Sequence, residues 1–380
     1  MTQKRYSMIP LFKTHTPQTI DEPLLKTLHS GYITQGPKVE EFEGRLRDFF
    51  GTDHVVTLNS GTSALTLAMR LAGIGPGDEV ITTAMTCSAT NLPVLSLGGK
   101  LVFADIDPVS GNINAESIEK LITKQTKAIL FVDWGGMPAD LDQIVSIARA
   151  HDLKVIEDAA HAFGAEYKGQ KVGTIADFTC FSLQAIKHIT TGDGGILTCK
   201  DPADYKRARN LRWFGIARDI DSLDSRISED IEEWGYKFHM NDLNATIGIT
   251  QMDHVATVLQ AHRNNAQYYD SKLDTYFVRQ SEGGDRKSAW WLYTLILPDQ
   301  KSRDAFKKYA TDNGVMVSQV HRRNDEYTVF KPFARKGLDG VAYFADRMVC
   351  IPVHWGLSIE ELDHVAGVCN KFAQKQGKKS

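Results

Sequence analysis

One lysine stands between a pattern typical of a buried strand and a pattern typical of a tight turn. Residues 178–183 are mostly apolar and aromatic, which predicts a buried strand. Residues 190–195 are Thr, Gly and Asp, which predicts a turn, and Lys187 lies between the two. A lysine amine held in a cleft away from water has a lowered pKa and becomes a nucleophile for carbonyl groups. The alternative is an exposed loop lysine, and the surrounding sequence must decide.

A Ser/Gly/Thr turn is the second segment that suggests chemistry. Residues 54–58 predict a strand, residues 59–63 form the turn, and residues 64–72 predict a helix. Unpaired backbone N–H groups and hydroxyls converge at such a helix N-terminus, which is typical of a phosphate site. The alternative is that Ser60 or Thr62 simply caps the helix.

The elements that must position these residues alternate between strand-like and helix-like segments. Apolar runs at 79–81, 101–104, 128–132 and 154–156 are separated by helix-like segments. This pattern predicts an α/β fold with a mostly parallel sheet covered by helices on both faces. Ligands collect beyond the carboxyl ends of such strands, where the Ser/Gly/Thr turn, Asp158 and the lysine turn are all expected.

Beyond residue 200 the pattern changes to long helices and then to a second alternation. Strands are predicted at 289–297 and 315–320, with a helix between them. We therefore expect two domains. A large α/β domain would span residues 1–250, and a smaller C-terminal α+β domain would span residues 251–380.

The composition excludes several classes of function. The chain has 380 residues and a net charge of -3, which gives no reason to expect binding to nucleic acid or to an anionic membrane. No apolar stretch approaches the roughly 18 residues of a membrane span. The five cysteines are scattered and include no CxxC pair, which fits reduced thiols and predicts neither disulfides nor a metal site. We expect a cytoplasmic protein.

One cofactor would use all three segments. Pyridoxal 5'-phosphate (PLP) requires a lysine amine, a carboxylate at its pyridinium nitrogen and an anion site for its phosphate. Lys187, Asp158 and the turn at 59–63 would supply these groups. A carboxylate within about 4–6 Å would keep the ring nitrogen protonated, because opposite charge favours the charged form. The alternative for Asp158 is a helix N-cap.

Four segments resemble the DegT/DnrJ/EryC1/StrS family in the same order along the chain. They are NSGTSAL at 59–65, GDEVI at 77–81, EDAAHAFG at 157–164 and FSLQAIKHITTGDGG at 181–195. The resemblance covers nearly the whole chain. The family comprises nucleotide-sugar aminotransferases of the aspartate aminotransferase fold (fold type I), so it implies that fold, PLP as cofactor and a PLP-dependent aminotransferase.

The resemblance also implies roles for individual residues. Lys187 would bond to the cofactor aldehyde and move the proton during catalysis. Asp158 would pair with the pyridinium, and His161 would bond the cofactor's 3-oxygen. The residues implied for the phosphate are Gly61, Thr62, Ser63 and Ser182.

The sequence departs from the family pattern at three positions. Lys237 stands where a phosphate-binding Asn is usual, in the segment 235–240 that would complete the site of a second subunit; a lysine can bind phosphate as a point charge. Cys87 replaces the aromatic residue that usually stacks on the cofactor ring. Ile186 replaces a common Asn directly before the lysine.

The residue type at the cofactor position indicates which reaction is catalysed. Alignment on the turn at 190–195 places Lys187, and not His188, at the cofactor position, which favours transamination over the dehydration performed by relatives with His there. The implied reaction loads the cofactor from L-glutamate as pyridoxamine 5'-phosphate. It then aminates a keto carbon, C3 or C4, of a nucleotide-linked deoxysugar for surface polysaccharide or related glycan biosynthesis. The resemblance implies a homodimer with shared active sites.

Substrate contacts are predicted in two places. His321 falls near the family's substrate-facing His, and the adjacent Arg322 and Arg323 are predicted to clamp a diphosphate. The alternative for the two arginines is a solvated basic turn. Gly36, in the polar loop 31–37, would lie over the site.

Two other functions remain open at this point. One is a PLP enzyme that acts on a smaller phosphorylated keto substrate, which the unusual Cys87 and Lys237 favour. The other is a non-catalytic PLP-binding regulatory protein, although the sequence offers no DNA-binding basic helix in its support.

Overall fold

The computed structural model describes residues 8–217 and 230–377. The strands are β1 (Val55–Leu58), β2 (Glu79–Thr83), β3 (Lys100–Ala104), β4 (Thr126–Val132), β5 (Lys154–Asp158), β6 (Glu166–Tyr167), β7 (Gln170–Lys171), β8 (Phe178–Ser182), β9 (Gly195–Cys199), β10 (Val278–Arg279), β11 (Arg286–Lys287), β12 (Tyr293–Ile296) and β13 (Met348–Ile351). The helices are α1 (Asp21–Leu28), α2 (Pro37–Phe50), α3 (Gly61–Leu71), α4 (Ser88–Ser96), α5 (Ala115–Glu119), α6 (Leu141–Ala150), α7 (Pro202–Leu211), α8 (Asp242–Met252), α9 (Val255–Lys272), α10 (Gln300–Asp312), α11 (Asp339–Arg347) and α12 (Ile359–Gly377).

A seven-stranded sheet dominates the fold. Its strand order is β1-β9-β8-β5-β4-β2-β3. The strands β8, β5, β4, β2 and β3 run parallel to one another, whereas β9 runs antiparallel to both β8 and β1. The prediction of a mostly parallel mixed sheet is therefore confirmed.

Helices cover both faces of this sheet because its central strands are apolar on both sides. Along β4, Leu130 packs in one cluster with Leu67 of α3, whereas the next residue, Phe131, packs in another with Ile144 of α6. This alternation follows from the period of two residues in a strand. It also places Asp158, at the end of β5, on the α3 side of the sheet.

Two smaller sheets complete the architecture. One contains β10, β12 and β13, and the other contains β11, β6 and β7. The seven-stranded sheet precedes residue 250 in the sequence and the β10-β12-β13 sheet follows it, while the exact boundary between the predicted domains stays a prediction. Within the described residues no helix is long and apolar enough to cross a membrane.

Two of the predicted strands are wrong in extent. The strand predicted at 289–297 is formed only over Tyr293–Ile296, and residues 315–320 form isolated bridges rather than a strand. The cause is local: Trp290 has a φ of 49° and Val320 a φ of 62°, values that a pleated strand cannot contain. Both departures turn the chain toward the cavity described next.

Candidate active site

A cavity of about 480 Å³ lies at the carboxyl ends of β4, β5 and β8. Most of the residues predicted for the site line it. They are Gly61, Thr62, Cys87, Asp158, His161, Ser182, Lys187 and His321. The convergence expected from the parallel sheet therefore occurs in the folded chain.

Lys187 extends into this cavity from the loop that joins β8 to β9. The loop is closed at its base because the Leu183 amide donates to the Gly194 carbonyl at 2.9 Å and the Thr191 amide donates to the Leu183 carbonyl at 3.0 Å. Burial lowers the pKa of Lys187 to about 7, against the opposing charge of Asp158. Near neutral pH a large share of the amine is thus unprotonated, which a nucleophile and proton carrier requires.

Asp158 is buried opposite this amine. Its Oδ2 accepts from the Thr90 hydroxyl at 2.7 Å, and its Oδ1 accepts from the Ala160 amide at 3.1 Å. Burial raises the pKa of Asp158, whereas both hydrogen bonds and the Lys187 charge act to lower it. A cationic group placed against the carboxylate would lower that pKa further.

The hydroxyl pair behind Asp158 was not predicted from the sequence. Thr90, in the first turn of α4, is fully buried and its hydroxyl lies 2.7 Å from that of Thr86. The Thr86 carbonyl in turn accepts from the side-chain amide of Asn324 at 2.7 Å, and Asn324 is also fully buried. A chain of hydrogen bonds thus connects the C-terminal part of the protein to the carboxylate.

His161 presents a defined tautomer to the cavity. The Gly135 amide donates to its Nδ1 at 3.4 Å, which leaves the ring proton on Nε2. Burial lowers the pKa of His161 well below its usual value, and the Lys187 charge adds to this effect. The ring is therefore neutral and can donate one hydrogen bond from Nε2.

The first turn of α3 forms an anion-binding surface. The Ser60 side chain accepts from the Ser63 amide, as an N-cap does, so the capping alternative is correct for Ser60. Among the hydrogen bonds of the described residues, none engages the amides of Gly61 and Thr62. These two donors, at the positive end of the helix, remain available for an anion.

Glycines bring the neighbouring chains close to this turn. A Cβ added to Gly195 would lie 2.2 Å from the Ser60 carbonyl oxygen, and one added to Gly61 would lie 3.0 Å from Cβ of Ser182. The turn after Lys187 therefore packs directly against the anion-binding turn. The close packing places the Ser182 hydroxyl beside the free amides.

Five predicted site residues lie outside the cavity. Ser63 donates its hydroxyl to Asn59 at 2.6 Å, and the Gly36 amide donates to Asp242 at 2.7 Å. Lys237 is exposed, at a bridge to Trp213. The two arginines border an adjoining cavity of about 450 Å³, which shares Ser318, Val320 and His321 with the first.

Each of these arginines has an acidic partner. Arg322 is exposed and pairs with Glu326 at 2.7 Å. Arg323 is more buried and makes a two-pronged contact with Asp325, at 2.7 and 2.6 Å. A diphosphate would have to compete with these carboxylates, so the clamp stays a prediction.

Several apolar residues line the cavity without having been predicted for the site, among them Phe12, Trp291 and Val320. Trp291 was assigned to a strand, and the N-terminal Phe12 had no pattern to mark it. The sequence offered one clue, the adjacent Trp290 and Trp291 beside the predicted strand. Successive side chains of a strand point to opposite faces, so the two indoles could not both pack on the same side of it.

Beneath the site lies a buried pair of carboxyl groups, Asp133 and Glu157. Both side chains are fully buried, and each has one oxygen without a hydrogen-bond donor among the described groups. Burial raises the pKa of Glu157 to about 7 and that of Asp133 well above its usual value. Two carboxyl groups this close retain a proton between them at acidic pH.

The residues present fit PLP. The cavity holds a nucleophilic amine, a buried carboxylate, a neutral histidine N–H and two free amides at a helix N-terminus, which are the groups that the cofactor requires. Cys87 begins α4 at the cavity wall, where it occupies less space than an aromatic ring.

Comparisons with known proteins agree with this geometry. The DegT/DnrJ/EryC1/StrS aminotransferase family profile matches residues 16–370. The spore coat polysaccharide biosynthesis protein SpsC of Bacillus subtilis is 36% identical over 311 residues, covering 80% of this chain and 79% of SpsC. The UDP-4-amino-4-deoxy-L-arabinose–oxoglutarate aminotransferase of Shewanella sediminis is 39% identical over 252 residues, covering 65% of this chain and 64% of the relative.

A solved structure matches almost the whole chain. The sugar aminotransferase CalS13 from Micromonospora echinospora superposes with a TM-score of 0.91 and 35% identity, covering 96% of this chain and 100% of CalS13. The protein belongs to the DegT/DnrJ/EryC1/StrS family and is a PLP-dependent aminotransferase of fold type I.

Proposed function

We propose that the protein transfers the amino group of L-glutamate to a keto carbon, C3 or C4, of a nucleotide-linked deoxysugar for glycan biosynthesis. The observation that carries the choice of transamination is the placement of Lys187 in the cavity while His188 is bound elsewhere. The His188 Nε2 lies 2.8 Å from the Ala289 carbonyl, and the side chain is 2% exposed. Lysine is thus the base available to the substrate.

The donor and the acceptor are inferred from the relatives. The name of the Shewanella protein gives oxoglutarate as one partner and an amino sugar nucleotide as the other, which supports L-glutamate as donor here. SpsC is named for polysaccharide biosynthesis, which supports a glycan as the destination of the product.

Several cavity residues would hold the cofactor in this reaction. PLP, when bound, supplies an aldehyde and an electron-accepting pyridine ring. Asp158 would keep the proton on the ring nitrogen, and the His161 Nε2–H would donate to an oxygen on the ring. The amides of Gly61 and Thr62, with the Ser182 hydroxyl, would bind the phosphate.

The proton transfer falls to Lys187. The Lys187 amine would take the proton from the substrate carbon and pass it to the cofactor carbon, which requires an amine pKa close to neutral. Phe12, Trp291 and Val320 border the space around the amine with apolar surface, so water is kept from it.

A homodimer would complete the site. The exposed Lys237 side chain makes no ion pair among the described residues. Its backbone lies beside Asn59, whose side-chain amide donates to the Lys237 carbonyl at 3.3 Å. The loop 31–37 exposes Tyr32 and Ile33 by 64% and 51%. Exposed apolar side chains of this size mark an interface, and we infer that a second copy covers them and receives Lys237 at its phosphate site.

Incubation of the PLP-loaded protein with L-glutamate tests the proposal. We expect formation of 2-oxoglutarate and a change in the absorbance of the bound cofactor, and no 2-oxoglutarate from the Lys187→Ala variant. Nucleotide-linked keto sugars are then screened for amine formation by mass spectrometry. If the wild-type protein binds PLP but forms no 2-oxoglutarate, L-glutamate is not the donor; if no amino donor is accepted at all, the regulatory alternative replaces the enzyme.

A further inference from the structure

An aromatic residue outside the predicted site contacts both the amine and the histidine that the reaction uses. The Lys187 Nζ lies 3.5 Å from the centre of the Trp291 ring. The His161 ring stacks on the same indole, with centroids 3.9 Å apart and planes 22° from parallel. Phe12 stacks on it as well, at 5.0 Å and 23°.

The indole is fixed independently of these contacts. Its Nε1–H donates to the Ile186 carbonyl at 2.9 Å, directly before Lys187 in the chain, and the side chain is 3% exposed. The backbone is held too, because the Ala289 amide donates to Gly136 at 3.0 Å and the Leu292 amide donates to Gly135 at 3.1 Å. The same Gly135 supplies the amide that sets the His161 tautomer.

We propose that Trp291 is a positioning residue of this site: its indole holds the Lys187 amine and the His161 ring where PLP must meet them. A lysine side chain has four rotatable bonds, and freezing it costs considerable rotamer entropy. An aromatic face offsets that cost for the protonated form through cation–π attraction, and its apolar edge excludes water for the neutral form. The amine therefore stays within reach whenever it is not bonded to the cofactor.

The contact with His161 has a separate consequence. A buried imidazole that receives one weak hydrogen bond can rotate about its Cβ–Cγ bond, and a half-turn would put the carbons Cδ2 and Cε1 where Nδ1 and Nε2 now lie. Stacking against a fixed indole prevents this rotation, so the Nε2–H keeps its direction. One residue thus orders two groups that approach the cofactor from different elements.

The inference rests on the proposed transamination, and the variants separate the two. Trp291→Leu removes the aromatic face, and Trp291→Phe keeps a ring but loses the Ile186 hydrogen bond. Trp290→Phe is the matched control, since it also removes an indole N–H, from the adjacent buried residue whose partner is Glu282 at 3.1 Å, outside the cavity. Melting curves identify any variant that fails to fold.

Two readouts are measured for each variant. The first is the rate at which apoprotein takes up PLP, followed by absorbance, which does not depend on any amino acceptor. The second is the single-turnover rate constant of the half-reaction with L-glutamate, together with the glutamate concentration that half-saturates it. We expect Trp291→Leu to take up PLP about tenfold more slowly, equivalent to about 1.4 kcal/mol. We expect it to lose a similar factor in the half-reaction rate constant, with the half-saturating glutamate concentration within about twofold of wild type.

The order of the variants decides the outcome. We expect Trp291→Phe to fall between Trp291→Leu and wild type, and Trp290→Phe to stay within about twofold of wild type. If Trp291→Leu does not fold, the comparison of Trp291→Phe with Trp290→Phe serves in its place. Equal uptake rates for the Trp291 variants and the Trp290 control would overturn the inference, whereas failure of the wild-type protein to form 2-oxoglutarate would overturn the proposed donor and leave the uptake comparison intact.

Discussion

Replacement of Thr90 by valine tests how the buried Asp158 carboxylate is kept charged. The substitution preserves shape but removes the hydroxyl that donates to Asp158 at 2.7 Å. It also takes away the partner of the Thr86 hydroxyl, at 2.7 Å. Because both threonines and the aspartate are buried, water cannot replace the lost donor without opening the site.

The size of the effect follows from the charge on the acceptor. A hydrogen bond to a charged group contributes about 1.5–3 kcal/mol, so its loss disfavours the charged form of Asp158 and raises the pKa of that carboxyl. Burial already raises this pKa in the folded protein, and the substitution raises it further. An acid with a raised folded-state pKa destabilises the fold as pH rises past its unfolded value, so the loss of stability must be larger at pH 8 than at pH 5.

Urea unfolding of the apoprotein at pH 5 and pH 8 measures this loss. Thr90→Ser is the control, because it retains the hydroxyl. We expect Thr90→Val to be less stable than Thr90→Ser by about 1.5–3 kcal/mol at pH 8 and by clearly less at pH 5, with weaker PLP binding. Equal stability of the two variants at pH 8 would refute the role assigned to this hydrogen bond.

Three further predictions follow from buried or close-packed groups. Burial raises the pKa of Glu157 to about 7 from about 4.5 in the unfolded chain, so this residue alone should lower stability by about 3 kcal/mol as pH rises between these values. Because the raised pKa of Asp133 acts in the same direction, Glu157→Gln should reduce the slope in urea unfolding without abolishing it, and an unchanged slope would contradict the assignment. Gly195→Ala should abolish PLP binding or folding, since its Cβ would lie 2.2 Å from a carbonyl oxygen. Gly367→Ala is the control: it has open space around it inside α12, so thermal melting should show unchanged or slightly higher stability. An exposed salt bridge stabilises a protein by at most about 1 kcal/mol, so Arg322 can leave Glu326 for a diphosphate more readily than Arg323 can leave its two contacts with Asp325. Arg322→Ala should therefore raise the KM for the sugar nucleotide more than Arg323→Ala does. A larger increase for Arg323→Ala would count against the clamp.

The residues that could be predicted from the sequence are those whose position follows from the order of elements. Asp158, Lys187 and Gly61 each follow a strand of a predicted parallel sheet, and the carboxyl ends of such strands share one edge. The motif order along the chain then identified the cofactor. No knowledge of side-chain packing was needed for these three.

Two residues that were predicted to bind ligands make hydrogen bonds within the protein instead, and both predictions failed for the same reason. Ser63 and Gly36 each sit at the start of a helix, where the same residue types serve to cap the helix and to bind anions. In the structure Ser63 bonds Asn59 and the Gly36 amide bonds Asp242. Sequence patterns do not separate these two uses.

Trp291 and Thr90 could not be predicted because tertiary contacts decide their roles. Trp291 read as part of a strand, and only the positive φ of the preceding Trp290 turns it into the cavity. The sequence around Thr90 gives it no special role, and only the folded structure places Asp158, at the end of β5, beside it. Both depend on contacts between residues more than 60 positions apart in the chain.

The central claim is that Lys187 is the residue to which the cofactor bonds. Loading the protein with PLP, reducing it with borohydride and mapping the modified peptide by mass spectrometry tests this claim directly, because reduction fixes the cofactor on its lysine. We predict modification at Lys187, among the 26 lysines of the chain, and its loss in Lys187→Ala. Cofactor fixed on another lysine, or none fixed on a protein that binds PLP, would contradict the account.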